Sequence, residues 1–426
     1  MSSIRKRGNS YQITVSNGRD ITGRQIIETA TFTPDPNRTE KQNQKALEKF
    51  AFEFEEKVKS GKYLDGEKMT YKDFVAFWIK DYAEKQLQQT SIERCESSLN
   101  NLILPELGHL KLSKIQPLHI QAFYNKLMEQ GYTVNGRPKQ YKANTIKRIH
   151  QIIRSTLNTA VRWQLIESNP CCRVKPPKPD RSTSDIKHFT LEEAQIFLDQ
   201  LDKEYTVSYG GHARRDGSPS AKHLEVRKIP LQQKVFFHMA LFGGFRLGEL
   251  IALTWDDIDF KSCTVSISKS TAKTKDGMIT KSPKTASSIR IVSLPTETMS
   301  LLRRWKAEQQ AYRLSAGTYW KGIGHIFIQD NGSQMDISTP NHVFKKIIKR
   351  YNESAEEADR LPEITLHGLR HTSATLLIAQ NIDIRTVSGR LGHAECSTTM
   401  NIYAHALKKQ DERAAASIGE LFAKKA

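Results

Sequence analysis

Residues 174–187 read VKPPKPDRSTSDIK, a run of prolines and charges in which apolar residues recur at neither the helical nor the strand period. Proline fixes its own φ and donates no backbone hydrogen bond, so the run is a linker rather than part of a core. It divides a chain of 426 residues, long enough for two or three domains with separate cores.

Before the linker, residues 4–33 predict three short strands, IRKR, YQITV and RQIIETATF, with Gly8-Asn9 and Asn17-Gly18 as turn signals. Thr39 and Gln42 make a capping box for a helix whose Leu47, Phe50, Phe54 and Val58 share a face able to cover the sheet. Residues 1–62 are thus a small three-stranded sheet plus helix, too small to be an enzyme alone. Arg5, Lys6, Arg7, Arg19 and Arg24 decorate the sheet. Its free face is either a solvated basic surface or one that enters a DNA major groove, which admits a β-ribbon.

Residues 68–173 read as an all-α bundle. Thr70 with Asp73 and Thr90 with Glu93 mark helix starts, and Pro117 suits a first turn. Phe74, Trp78 and Tyr82 form one apolar stripe of core spacing, and Ile120, Phe123 and Leu127 another. In a helix from 144 to about 165, Ile146, Ile149, Ile153, Leu157 and Ala160 face inward. Lys147, Gln151, Arg154, Asn158 and Arg162 line the opposite side, a solvated face or a track for a phosphate backbone.

Residues 188–426 read as a mixed, mainly helical domain, which makes the whole chain multidomain α+β. Thr190 with Glu193 boxes the helix LEEAQIFLDQL, and the polar segment 205–229 is a loop or loose hairpin before LQQKVFFHMALF. CTVSISKS and SIRIVSL carry strand signals, and TAKTKDGMITKSP between them is a longer connection than a tight hairpin needs. The last helix carries Ala415, Ile418, Leu421 and Phe422 on one side, a face to be buried on its own domain or on another subunit.

Lys and Arg number 65 against 46 Asp and Glu, a net charge of +19 spread through the helices, which attracts polyanions such as nucleic acid. No apolar run reaches the roughly 18 residues of a membrane span. The N-terminus has basic residues but no apolar core after them, so no secretory signal is read and the chain is expected in the cytoplasm. Five scattered cysteines lack zinc-site spacing and read as reduced thiols.

Chemistry concentrates after residue 365. His367 and Arg370 share one face of a helix that Thr365 can cap, Gly392 and His393 follow a short helix started by Asp383, and Tyr403 lies in another that Ser397 can cap. His371 is read as pointing elsewhere, a structural residue. Upstream, GGFRLGEL supplies Arg246 after a paired-glycine turn, with Glu249 able to brace it, and PKTASSIRIVSL supplies Lys284.

Arg246, Lys284, His367, Arg370, His393 and Tyr403, in that order, resemble the signature of the tyrosine recombinases, the phage integrase family. The resemblance covers the chain from about residue 70 onward. It implies Tyr403 as nucleophile toward a DNA phosphodiester, Arg246 and Arg370 as a clamp on the nonbridging oxygens, and Lys284 as general acid. His367 would accept or position the tyrosine proton, and His393 would donate to the phosphate. Cationic side chains fill the place of a metal, so no cofactor or metal is expected. The resemblance further implies an N-terminal domain for arm sites and a bundle for core sites in double-stranded DNA, with a homotetramer exchanging strands. An excisionase and a host DNA-bending protein complete the expected partners, with no membrane. The rival readings are a type IB topoisomerase-like enzyme and a catalytically silent DNA-binding regulator.

Overall fold

The computed structural model describes residues 2–19, 23–59, 69–134, 137–178, 187–209, 223–282, 288–393, 395–402, 415 and 418–419. They fall into two units, Met1–Arg181 and Ser182–Ala426.

In the first unit, β1 (Ser3–Arg7), β2 (Ser10–Arg19) and β3 (Gln25–Phe32) form an antiparallel sheet in chain order. Gly8-Asn9 turns the chain as expected. Asn17-Gly18 does not: β2 runs through it, and the register slips by one residue between Ser16 and Arg19, a bulge with Gly18 at φ +84°. α1 (Glu40–Lys59) begins at the Thr39–Gln42 box and buries Leu47, Ala51, Phe54 and Val58 with Ile13 and Val15. Register then sorts the basic residues. Arg5 lies opposite Gln12 and Arg7 opposite Ser10, on the face away from Ile13. Lys6 lies opposite Tyr11 on the helix side, its ammonium 5.9 Å from that ring, so it does not belong to the free face. Arg24 is exposed, and the Arg19 side chain is outside the described residues.

A second core gathers the helices of residues 69–174. α2 (Tyr71–Trp78), boxed by Thr70 and Asp73, passes through a π turn into α3 (Glu84–Gln86). α4 (Gln89–Ser98) passes through another into α5 (Leu104–Leu107). Thr90 therefore sits inside the first turn of α4 rather than at its cap. Pro117 opens α6 (Pro117–Gln130) as predicted. The segment is not wholly helical, because β4 (Tyr132–Val134) pairs with β5 (Arg137–Lys139). α7 (Ala143–Arg162) buries Ile146, Ile149, Ile153, Leu157 and Ala160, and its Thr156 and Thr159 hydroxyls meet Tyr71 Oη and Trp78 Nε1 at 2.7 and 3.2 Å. The opposite side of α7 exposes Lys147, Gln151, Arg154, Asn158 and Arg162. Arg162 lies over Tyr82, 5.2 Å from its centroid.

In the second unit, Thr190 and Glu193 cap α8 (Leu191–Gln200), and β6 (Tyr205–Tyr209) pairs with β7 (His223–Arg227), a hairpin with 210–222 outside the described residues. α9 (Leu231–Gly243) is apolar nearly all round and buried, as a central helix must be. α10 (Leu247–Ala252) follows, then a sheet ordered β12-β9-β8 from β8 (Ile258–Asp259), β9 (Thr264–Ile267) and β12 (Arg290–Ser293). The stretch read as a long connection is itself a hairpin, β10 (Ser270–Thr274) with β11 (Gly277–Lys281). Lys275-Asp276 makes its two-residue turn, and Gly277, which opens β11 opposite Thr274, takes φ +121°.

α11 (Thr296–Ala316), α12 (Thr339–Ser354), α13 (Leu366–Ala379), α14 (Ile384–Leu391) and α15 (Cys396–Ile402) complete the unit. Its core centres on aromatic rings: Phe197 lies 5.6 Å from Phe237 and 5.2 Å from Phe344. Of the terminal helix, Ala415 and Ile418 are exposed, Ile418 at 58%, and Leu421 and Phe422 lie outside the described residues. No described helix is long and apolar enough to cross a membrane.

Candidate active site

The site begins where α9 stops. Gly244 adopts the left-handed conformation, φ +62°, that ends a helix without a Cβ clash, and turns the chain so that Arg246 stands at the N-cap of α10. Three residues on, one turn into α10, the Glu249 carboxylate returns to it. Oε2 accepts the Arg246 backbone N–H at 2.9 Å and Oε1 accepts Nη1 at 2.8 Å. The bracing role expected of Glu249 thus has a geometry.

Arg370 is the fifth residue of α13, whose N-cap is Thr365, although that side chain makes no capping bond. The residue is 2% exposed, and its guanidinium donates to the Gly244 carbonyl at 2.8 Å and the Leu391 carbonyl at 2.6 Å. These are carbonyls at the ends of α9 and α14, where helix dipoles gather negative charge. α14 starts at Asp383, whose carboxylate accepts from the Arg385 and Thr386 amides, and ends with Gly392 at φ +65°. Arg246 Nη2 donates to the Gly392 carbonyl at 3.0 Å. Both arginines therefore converge on adjacent carbonyls immediately before His393.

His393 pairs through Nδ1 with Thr399 Oγ1 at 2.8 Å. Thr399 is buried in α15, a helix that starts at Cys396, so Ser397 lies in its first turn and its hydroxyl donates to Glu395 instead of capping. Tyr403 follows the last residue of α15 and, like Lys284, lies outside the described residues.

His367 does share the site, but so does His371. Four residues apart on α13, they meet edge to face on one side, rings perpendicular with centroids 4.8 Å apart, which corrects the reading of His371 as pointing elsewhere. Burial, then the positive charges of Arg370 and Arg246, holds the His367 imidazole below its ordinary pKa. The same causes, with Arg290 added, bring His393 to about 4. His371 falls to about 4 through burial and then the neighbouring His367 and Arg370. At neutral pH all three rings are uncharged, able both to donate and to accept a proton. Burial alone would raise the Glu249 carboxyl, but hydrogen bonding to Arg290 and the charges of Arg290 and Arg246 outweigh it and keep it ionised.

Two arginines escaped the sequence reading. Arg290, on β12, forks onto Glu249, and Arg390 donates to the Phe242 and Ser293 carbonyls at 2.6 and 2.9 Å. Inside a strand signal and a short helix, nothing marked them as inward-facing. Among the described residues no cluster of His, Cys, Asp and Glu could hold a metal.

Known proteins resemble this chain along most of its length. The phage integrase family model matches residues 221–410, and the phage integrase N-terminal SAM-like domain model matches residues 70–128. A tyrosine recombinase XerC-like protein of Caldanaerobacter subterraneus subsp. tengcongensis is 28% identical over 97% of this chain and 96% of its own. The ICEBs1 integrase of Bacillus subtilis is 27% identical over 73% of this chain and 72% of its own. Among solved structures, the Tn1549 transposon integrase in complex with transposon right end DNA covers 82% of this chain and 100% of its own, with a TM-score of 0.62 at 20% identity.

Fold and sequence together define a tyrosine recombinase. The chain belongs to the phage integrase family, and as an enzyme it is a site-specific recombinase.

Proposed function

We propose that the chain integrates and excises a mobile element by transesterification at double-stranded DNA, with Tyr403 as nucleophile. Tyr403 Oη attacks the phosphorus, a P–Oη bond forms, and the P–O5′ bond breaks. Lys284 supplies the proton to the leaving 5′ oxygen, and His367 takes or directs the phenolic proton. Arg246, anchored to the Glu249 carboxylate and the Gly392 carbonyl, and Arg370, anchored to the Gly244 and Leu391 carbonyls, offer their remaining N–H groups to the two nonbridging oxygens, where a guanidinium fork suits the geometry better than lysine's point charge. His393 donates to the same phosphate. The 3′-phosphotyrosyl ester conserves the energy of the broken bond, so a 5′ hydroxyl from a second duplex can reverse the step without ATP, through a Holliday junction.

The observation that carries this reading is the convergence of Arg246 and Arg370 on the Gly392 and Leu391 carbonyls, directly before a His393 that is bonded to the helix leading to Tyr403. In the same reading, residues 1–62, through Arg5, Arg7, Arg19 and Arg24, contact arm sites, and α7, through Lys147, Arg154 and Arg162, contacts the core site. Residues 188–426 cut. One tyrosine cuts one strand, so exchange between two duplexes takes four copies in the bacterial cytoplasm, aided by an excisionase and a host DNA-bending protein.

The test incubates the protein and its Tyr403→Phe variant, without Mg²⁺, with a nicked duplex carrying the ends of the element that encodes the chain. A denaturation-resistant adduct with wild type alone is expected. No adduct from either protein despite DNA binding would favour a silent regulator, and an adduct from the Phe variant would exclude Tyr403. Relaxation of a supercoiled circle with no exchange of partners would favour the topoisomerase-like reading.

A further inference from the structure

Glu249 is claimed by two arginines. Arg290 Nη1 reaches Oε1 at 3.1 Å and Nη2 reaches Oε2 at 2.8 Å, with the Arg290 and Glu249 side chains 7% and 4% exposed. Arg246 Nη1 shares Oε1 at 2.8 Å. Arg290 is itself fixed: Nε donates to the Arg390 carbonyl at 2.7 Å, Nη1 also to Ser288 at 3.1 Å, and the group lies 6.0 Å from the Phe245 ring centroid.

A carboxylate and a guanidinium prefer a two-bond fork. Left alone with Glu249, Arg246 would take both carboxylate oxygens and withdraw from the Gly392 carbonyl. Arg290 occupies that edge of the carboxylate first. Arg246 is left one side-chain bond to Glu249, while its Nη2 stays on Gly392 beside His393.

We propose that Arg290 is a positioning residue for the transferred phosphate. By saturating Glu249 it holds Arg246 forward, and by gripping the Arg390 carbonyl it fixes the end of α14 that carries His393. It touches no substrate and acts through Arg246. This rests on the recombinase reading above.

The test measures single-turnover adduct formation at saturating nicked duplex for wild type, Arg290→Lys, Arg246→Lys and the double variant. Each is measured on a phosphodiester and on a methylphosphonate linkage, which lacks the charged oxygen that Arg246 would clamp. Lysine cannot form the fork. Arg290→Lys is expected to slow cleavage of the phosphodiester about a hundredfold, the scale of a displaced catalytic group, with little change in the duplex concentration that half-saturates it. The double variant should be no slower than Arg246→Lys alone, and the defect should shrink to about threefold on the methylphosphonate, where clamp stabilisation has little left to act on.

A wild-type rate for Arg290→Lys overturns the proposal, as does an equal defect on both linkages, the mark of general damage. If Arg290→Lys does not fold, Glu249→Gln, which keeps an oxygen for one arginine, must show the same linkage dependence or the proposal falls. No adduct from wild type on the phosphodiester defeats the recombinase reading itself, whereas a normal wild type with an unimpaired Arg290→Lys defeats only this inference.

Discussion

The ring of His371 meets that of His367 edge to face, 4.8 Å between centroids and 88° between planes. The neighbour fixes the tilt of the imidazole assigned to the tyrosine proton.

Replacing His371 with Asn removes that contact and leaves every named arginine in place. We expect adduct formation to slow on the order of tenfold to a hundredfold, as for a misaligned catalytic group, with duplex affinity unchanged. Single-turnover assays beside a filter-binding titration check this, and an unchanged rate would reduce the contact to packing.

Acid should loosen the second unit earlier than its carboxylates alone would. His371 and His393 titrate at about 4 in the folded chain, below the ordinary 6.5, so between those values the unfolded chain binds more protons. Their contribution to stability is full above pH 6.5 and is lost progressively as pH falls toward 4. Melting midpoints across pH 7.5 to 4.5 should fall accordingly, and His371→Asn should lose less over that range than wild type.

Two glycines three residues apart, Gly389 and Gly392, should respond oppositely to alanine. Gly392 is left-handed, and a Cβ there would meet Arg290 Nη1 at 2.8 Å on a side chain pinned by Glu249. Gly392→Ala should cost at least about 1–2 kcal/mol. Gly389, exposed within α14 with open space at its Cβ, should gain about 0.5–1 kcal/mol on the same change. Denaturant midpoints at constant m-value distinguish the two.

Phe344 is 1% exposed and rings the core with Phe197, Phe237 and Phe189. Phe344→Ala should cost about 3–5 kcal/mol, from lost transfer energy and the cavity left behind. Chemical denaturation measures it, and a loss under 1 kcal/mol would mean that the rings collapse into the gap.

Long elements with strong periods were legible in the sequence. α7, α9 and the Thr39, Thr70 and Thr190 boxes appear where apolar spacing and caps put them, because both signals are local. β4 and β5 were not, since three-residue strands carry no period, although Asn135-Gly136 between them is a strong hairpin signal. Asn17-Gly18 misled for the converse reason: the same dipeptide serves a turn or a bulge, and strand pairing decides between them.

Arg246, His367, Arg370 and His393, singled out by their resemblance to the family signature, lie near one another in the structure. Arg290 and Arg390 were not legible. Apart from the Ser288 carbonyl beside Arg290, their partners are backbone carbonyls and a glutamate 41 to 148 residues away, and an arginine in a strand or on a short helix looks the same whether it faces solvent or the interior.

Arg246, Arg290, Arg370 and Arg390 close on carbonyls at the ends of α9 and α14, at Phe242, Gly244, Arg390, Leu391 and Gly392. Dissolved ions reach such inward pairings far less than they reach the basic surfaces. Ionic strength therefore separates grip from chemistry. Rising salt should strip the duplex away with a log–log slope of about −0.9 per phosphate neutralised, yet leave the turnover of whatever duplex stays bound nearly constant.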